Sequence, residues 1–306
     1  MGKSLSKEPT HLRYKELFPI NDEEIERQHL RHHVVREIFG GNFSSPVHDI
    51  LETGWAKVLD VDCGPGTWLF ELSSDYPGCT YIGTNPSYVI SLLNNAGKPF
   101  DVEFVDANLI TDDIGSANEQ QESGLPFVDN CFDFVSLRYS SYDYTSSEWE
   151  NIILKELVRV LKPGGWLELM DFELMMSGSG PILSQFIEKK LGLLESFNIE
   201  LDLLQKLQNF LETSGDFTNV QCESKRFPIG KFAGKLGESV RTLYYETYKS
   251  IIPQFAKHLG IREKEISSTI DTMMDEIDVN EVYSSASRIF GQKRSERTDD
   301  EIDEVN

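Results

Sequence analysis

The chain has 306 residues, 39% of them hydrophobic, enough to bury a sizeable interior. Its formal net charge of -22 repels polyphosphate, because nucleic-acid binding draws on Lys and Arg neutralising phosphates, so no nucleic acid is expected as a partner. The longest apolar runs are strand-length, short of the roughly 18 residues a membrane span requires, so no stable membrane insertion is expected either.

Cys63, Cys79, Cys131 and Cys222 are scattered with no CxxC spacing, and no secretory signal opens the chain. Neither a disulfide framework nor a zinc site is implied, and a reducing compartment, cytoplasmic or else nuclear, is expected.

Residues 1–20 read as a flexible polar N-terminus. Within it Met1-Gly2-Lys3-Ser4-Leu5-Ser6 matches the N-myristoylation pattern at Gly2, and a single such chain would give only weak membrane contact. Asn21 followed by Glu24 has capping-box spacing and Gly40-Gly41 supplies a stop, which predicts a helix over 22–39. Its narrow apolar stripe of Leu30, Val34 and Ile38 suits a helix laid across another surface, such as a cofactor cleft. His29 and His33 fall on one face of it, in metal-ligand spacing without a third ligand, so no metal is expected.

From Lys57 strand-like runs alternate with helical ones: Val58–Val61, Trp68–Leu72, Thr80–Gly83, Tyr88–Leu93, Val102–Val105 and Phe132–Leu137. Trp149, Ile153, Leu157 and Leu161 repeat at helical spacing before Lys162-Pro163-Gly164-Gly165 and the apolar run Trp166–Met170. That rhythm predicts an α/β fold with a doubly wound, Rossmann-like, mostly parallel sheet. Past Pro181 a helix is expected, then two strands, Phe217–Cys222 and Lys225–Ile229, joined as an antiparallel hairpin that closes a seven-stranded sheet. Residues 236–290 read as a helical cover, completing a domain over 21–290, and 291–306 as an acidic disordered tail too poor in apolar residues to order.

The most informative segment is Val58-Leu59-Asp60-Val61-Asp62-Cys63-Gly64-Pro65-Gly66-Thr67, a strand running into a glycine-bearing turn and then a helix. The GxGxxG dinucleotide fingerprint is absent. The segment resembles the first motif of class I methyltransferases, acidic-x-Gly-x-Gly-x-Gly, with Asp60, Gly64 and Gly66 matching and Asp62 in place of the first glycine. Phe104-Val105-Asp106-Ala107 with Leu125-Pro126-Phe127, then Cys131-Phe132-Asp133-Phe134-Val135, then Val160 to Trp166 resemble later motifs in the same order. Leu17 to Arg27 and Phe227-Pro228-Ile229-Gly230 resemble fungal methyltransferases that include regulators of secondary metabolism, and the likeness spans about residues 14–290.

The resemblance implies S-adenosylmethionine as cofactor. It assigns Asp60, Asp62, Cys63, Gly64, Pro65 and Gly66 to the methionine side, Asn85 to the ribose, and Asp106 and Ala107 to the adenine. Asn85 stands where the family has an acid and keeps one carbonyl acceptor, worth about 1 kcal/mol against roughly 1.5–3 for a charged one. A carboxylate at Asp62 either repels the cofactor's carboxylate or pairs with its amino group. Arg138, Tyr139, Tyr142 and Tyr144 follow the fourth strand, at the carboxyl edge where such sheets bind ligands. No catalytic acid or base is assigned, since positioning supplies most of the rate of methyl transfer. The expected function is methyl transfer to a small-molecule or protein acceptor. The alternative is an inactive binding or regulatory module with a protein partner.

Overall fold

In the computed structural model, which describes residues 14–91, 98–110 and 124–295, a turn of 3-10 helix (Tyr14–Leu17) precedes α1 (Asp22–Phe39). The Asn21 side chain accepts the Glu24 backbone N–H, and Gly40 ends the helix at φ 74°, as the capping pattern predicts. Leu17 is 2% exposed, so the packed structure begins before residue 20. Residues 1–13, with Gly2, lie outside the described residues.

The α/β alternation then follows: α2 (His48–Glu52), β1 (Lys57–Val61), α3 (Thr67–Asp75), β2 (Thr80–Asn85), α4 (Ser87–Ile90), β3 (Val102–Asp106) and β4 (Phe132–Arg138). The predicted helix Tyr88–Leu93 is described only through residue 91. A short helix, α5 (Ser146–Glu148), and a π-helical turn, Trp149–Ile153, lead into α6 (Leu154–Val160) and β5 (Leu161–Phe172). The sheet has seven strands. The remaining elements are α7 (Pro181–Ser196), α8 (Leu203–Thr213), β6 (Phe217–Ile229), α9 (Gly234–Ser250), α10 (Ile252–Leu259), α11 (Glu263–Val279) and β7 (Val282–Lys293). Its order is β3-β2-β1-β4-β5-β7-β6, parallel through β5, with β7 antiparallel to both neighbours.

The fold class is as expected, but the antiparallel pair is built from other segments. Phe217–Ile229 is one strand of 13 residues, with a register shift between Thr218 and Gln221, because Glu223-Ser224 lacks the Gly or Asn that a two-residue hairpin turn with positive φ demands. Its partner is β7, fifty residues on, which the sequence placed in the helical cover and its last three residues in the tail. Gly291 and Gln292 pair with Leu167 and Trp166. Residues 282–293 are therefore sheet. The proposed acidic tail from 296 onward lies outside the described residues.

β7 escapes a hydropathy reading because its buried face carries polar groups that find partners. The Ser287 and Ser224 hydroxyls are 2.8 Å apart, and Arg288 donates to the Gly41 carbonyl at 2.9 Å. Beside it Glu168, 2% exposed, accepts the Ser44 and Ser45 backbone N–H groups at 2.8 and 2.7 Å. These bonds clasp the end of the α1 connection to the sheet, as buried charges require. On the helical side, Phe186, Leu243, Phe255 and Met273 pack with Met170 and Phe227 of the sheet, fixing α7, α9, α10 and α11 as a cover.

Candidate functional site

The strand order reverses direction at β1 and β4, the point in a doubly wound sheet where ligands sit beyond the carboxyl ends of the strands. β1 is buried along its last four residues and runs straight into the turn that follows. Three of that turn's residues are left-handed: Asp62 at φ 50°, Gly64 at 57° and Gly66 at 79°. The positive φ explains why a glycine suits position 62; aspartate is among the few side chains that tolerate it. At Gly66 a Cβ would lie 2.5 Å from the Phe104 ring, and at Gly64 one would lie 2.2 Å from Gln28 Oε1 of α1. Close approach to the ring demands glycine at 66, whereas at 64 the end of the Gln28 side chain could move and the left-handed backbone is what favours glycine.

Asp62 is held rather than free. Its Oδ2 lies 3.3 Å from Lys15 Nζ and accepts a hydrogen bond from the Tyr144 hydroxyl at 3.3 Å. The carboxylate thus faces the cavity already neutralised by a lysine from the N-terminal turn, a contact nothing in the sequence pattern announced. Asn85 is likewise engaged: Oδ1 accepts the Gly64 N–H at 2.9 Å, while Nδ2 donates to the Gly64 carbonyl at 2.9 Å and to Cys63 Sγ at 3.1 Å. This two-way amide clip fastens β2 to the loop, and only an amide can make both halves. Cys63 is buried and desolvation pushes its thiol well up, so it is no nucleophile.

Asp60 is 1% exposed. It receives Arg138 Nη2 at 2.7 Å, so its partner is a side chain of β4, and the Arg138 guanidinium in turn lies 4.8 Å from the Trp68 ring. Asp106 sits opposite Asn85 in the register of β2 and β3 and is exposed, with Ala107 buried beside it. Neither lines the central cavity, whereas Asp62, Gly64, Pro65 and Asn85 do.

That cavity has a volume of about 480 Å³. Its roof is α1 together with α9, joined where Arg27 donates to Thr247 Oγ1 at 3.2 Å. Arg27 is also paired with Glu24 in a buried contact of 2.5 Å, and His29 Nδ1 lies 2.5 Å from Thr67 Oγ1 at the start of α3. α1 thus meets the glycine loop and the start of α3 through Gln28 and His29, while its stripe of Leu30, Val34 and Ile38 packs into the core under the C-terminal helices. Tyr139 and Tyr142 line the cavity, and Tyr144 reaches it through Asp62.

Other charged groups in the wall have shifted titration. Burial pushes the Asp143 carboxyl up to about 7, although it accepts the Lys15 backbone N–H at 2.7 Å. Burial also pulls the Lys190 amine, on α7, down to about 8. Sequence inspection missed Lys190, Arg31 and Tyr244, because helix periodicity marks a buried face without saying what it faces.

The histidine pair of α1 divides. His32 Nε2 is 2.9 Å and His33 Nδ1 3.5 Å from the Glu71 carboxylate of α3, while His29 turns to Thr67. Glu71 supplies a third ligand-type group, but Arg36 Nε sits 3.2 Å from the same carboxylate, so a cation there would compete with a guanidinium.

Comparison with known proteins places the same segment. Residues 58–165 match the model of a family described as a methyltransferase domain. The chain is 26% identical over 158 residues to the secondary metabolism regulator laeA of Coprinopsis cinerea, covering 51% of this chain and 35% of that protein. It therefore spans about a third of the length of that relative. It is 25% identical to the N-methyltransferase verN of Clonostachys rogersoniana, across 82% of this chain and 83% of verN. With the demethylmenaquinone methyltransferase of Staphylococcus aureus it shares 28% identity, across 68% and 77% of the two chains. Residues 58–165 thus carry a match to a methyltransferase domain, and the chain is similar over most of its length to methyltransferases of fungal and bacterial origin.

Proposed function

We propose that this chain transfers the methyl group of S-adenosylmethionine to a small-molecule acceptor bound beneath α1 and α9. The observation that carries the reading is the cavity. Its volume of about 480 Å³ falls within the roughly 300–1,000 Å³ usual for small-molecule sites, and its wall joins the glycine loop to a helical cover. A protein acceptor would need an open approach, which the roof of α1 on α9 disfavours.

The residues present suit the cofactor's charges. Asp62 would take the amino group and Lys15 the carboxylate, two opposite charges held 3.3 Å apart as the ends of an amino acid require. Asn85 Oδ1 spends one lone pair on the Gly64 N–H and keeps the other for a ribose hydroxyl. Asp106 and Ala107 would serve the adenine from the end of β3. When bound, the cofactor supplies an electrophilic methyl group on a sulfonium. The chain's own part would be to hold the acceptor in line beside the glycine loop, beneath α1.

The second reading, an inactive regulatory module, is favoured by the prior engagement of both altered residues, Asp62 by Lys15 and Asn85 by Gly64. Calorimetric titration of the full chain with S-adenosylmethionine and S-adenosylhomocysteine separates the two. Micromolar binding of both is the expected result. No heat, with an unchanged melting temperature at millimolar ligand, would overturn the enzymatic reading and favour the regulatory one.

A further inference from the structure

The cavity wall also holds a cation that has no counter-ion among the described residues. Lys190 is 6% exposed and lines the cavity. Among the described residues it has no ion-pair partner, and no carboxylate offsets the burial that lowers its amine to about 8. At neutral pH most of this group is still protonated. A buried, unpaired charge is costly, and such groups concentrate where a ligand completes them.

What surrounds it is aromatic. Tyr139 and Phe172 stack with centroids 5.9 Å apart and planes at 20°, Phe172 meets Tyr244 at 6.4 Å, and Tyr244 meets Tyr248 at 5.8 Å. All four rings line the cavity. Tyr244 is fixed by donating to Ser284 Oγ at 3.0 Å. Lys190 stands one helical turn beyond Phe186, whose ring packs on Tyr248 at 4.8 Å, so the amine belongs to the Tyr248 end of this wall. At the other end Arg31 lies 3.7 Å over the Tyr139 ring, and its Nε, like the Tyr139 hydroxyl, is buried with no hydrogen-bond partner among the described residues. Unsatisfied buried polar atoms of this kind call for a missing partner.

We propose that this part of the cavity is an acceptor subsite for a small planar aromatic acid, whose ring lies along the Tyr139–Phe172–Tyr244–Tyr248 wall and whose anionic oxygen pairs with Lys190 Nζ. This rests on the methyltransferase reading, which it deepens by naming the acceptor's chemistry. Binding needs a charge at the Tyr248 end of the wall, a flat apolar body, and a polar group near Arg31 and Tyr139.

The test uses the full chain and two probes of equal shape, 4-hydroxybenzoate and the neutral 4-hydroxybenzamide, titrated in the presence of S-adenosylhomocysteine. The benzoate should bind at least about tenfold tighter than the amide, the usual worth of one charge-assisted bond. Lys190→Met should erase that preference, Lys190→Arg should restore part of it, and Tyr244→Leu should weaken both probes. S-adenosylhomocysteine affinity should stay unchanged in Lys190→Met. Equal binding of the two probes, no binding of either, or a preference that survives in Lys190→Met would overturn the subsite. A benzoate preference lost with Lys190, in a chain that binds no S-adenosylhomocysteine, would support the subsite and overturn the methyltransferase reading instead.

Discussion

Replacing Lys190 with methionine should stabilise the protein. The amine falls from an ordinary 10.5 to about 8 through burial alone, and at ~1.36 kcal/mol per pH unit that difference corresponds to about 3 kcal/mol against the folded state at neutral pH. Methionine keeps the length and apolar stem of the side chain without the charge. The sign follows from proton binding. Between about pH 8 and 10.5 the unfolded chain holds a proton that the folded chain has lost, so wild-type stability rises with pH across that window and its deficit against the variant closes. Urea unfolding of both proteins at a series of pH values reads this directly, as a midpoint shift at unchanged slope. The advantage of Lys190→Met should be full below about pH 8 and gone near 10.5. A variant less stable than wild type at pH 7, or an advantage independent of pH, would refute the assignment of Lys190 as a buried cation without a partner. A gain in stability joined to loss of acceptor binding would show a site held at the expense of the fold.

Arg138→Met leaves Asp60, 1% exposed, without its 2.7 Å partner, and should cost about 3–5 kcal/mol in urea unfolding, as removal of one member of a buried pair does. Adding Asp60→Asn should recover much of that loss. Asn85→Asp restores the family's acid but sets a carboxylate against the Gly64 carbonyl, where Nδ2 now donates at 2.9 Å. It should lower stability by about 1–3 kcal/mol, and calorimetry should find no gain in cofactor affinity even when Asp62→Gly is added. Burial raises the Asp143 carboxyl from 3.8 to about 7, so the folded chain holds a proton in that window and this group's contribution to stability falls as pH rises through it. Asp143→Asn, which keeps an acceptor for the Lys15 N–H, should be more stable than wild type above pH 7 and lose that advantage towards pH 4. A pH series of thermal melts checks it.

The chain itself announced the parts whose signals are local. The glycine turn after β1 needs left-handed backbone at particular positions, the capping pattern at Asn21 and Gly40 needs only neighbours, and the parallel strands are continuous apolar runs because both faces are covered. The first four strands and α1 could therefore be read in chain order and nearly to their ends, while β5 begins at Leu161, before the turn expected ahead of Trp166. β7 could not, because its buried Ser284, Ser287 and Arg288 look like a surface until Ser224 and Gly41 arrive from elsewhere in the chain. The same limit governs the site. Sequence marked Asp62 and Asn85 as departures from a pattern, but what each does was decided by residues 47 and 21 positions away, Lys15 and Gly64. Lys190 carries no local signature at all. A lysine on a helix is ordinarily solvated, and only the packing of α7 beneath α9 turns this one inward. Backbone conformation and hydrophobic period are properties of short segments, whereas the burial of a charge depends on which distant surfaces close over it, and that is settled only when the chain has folded.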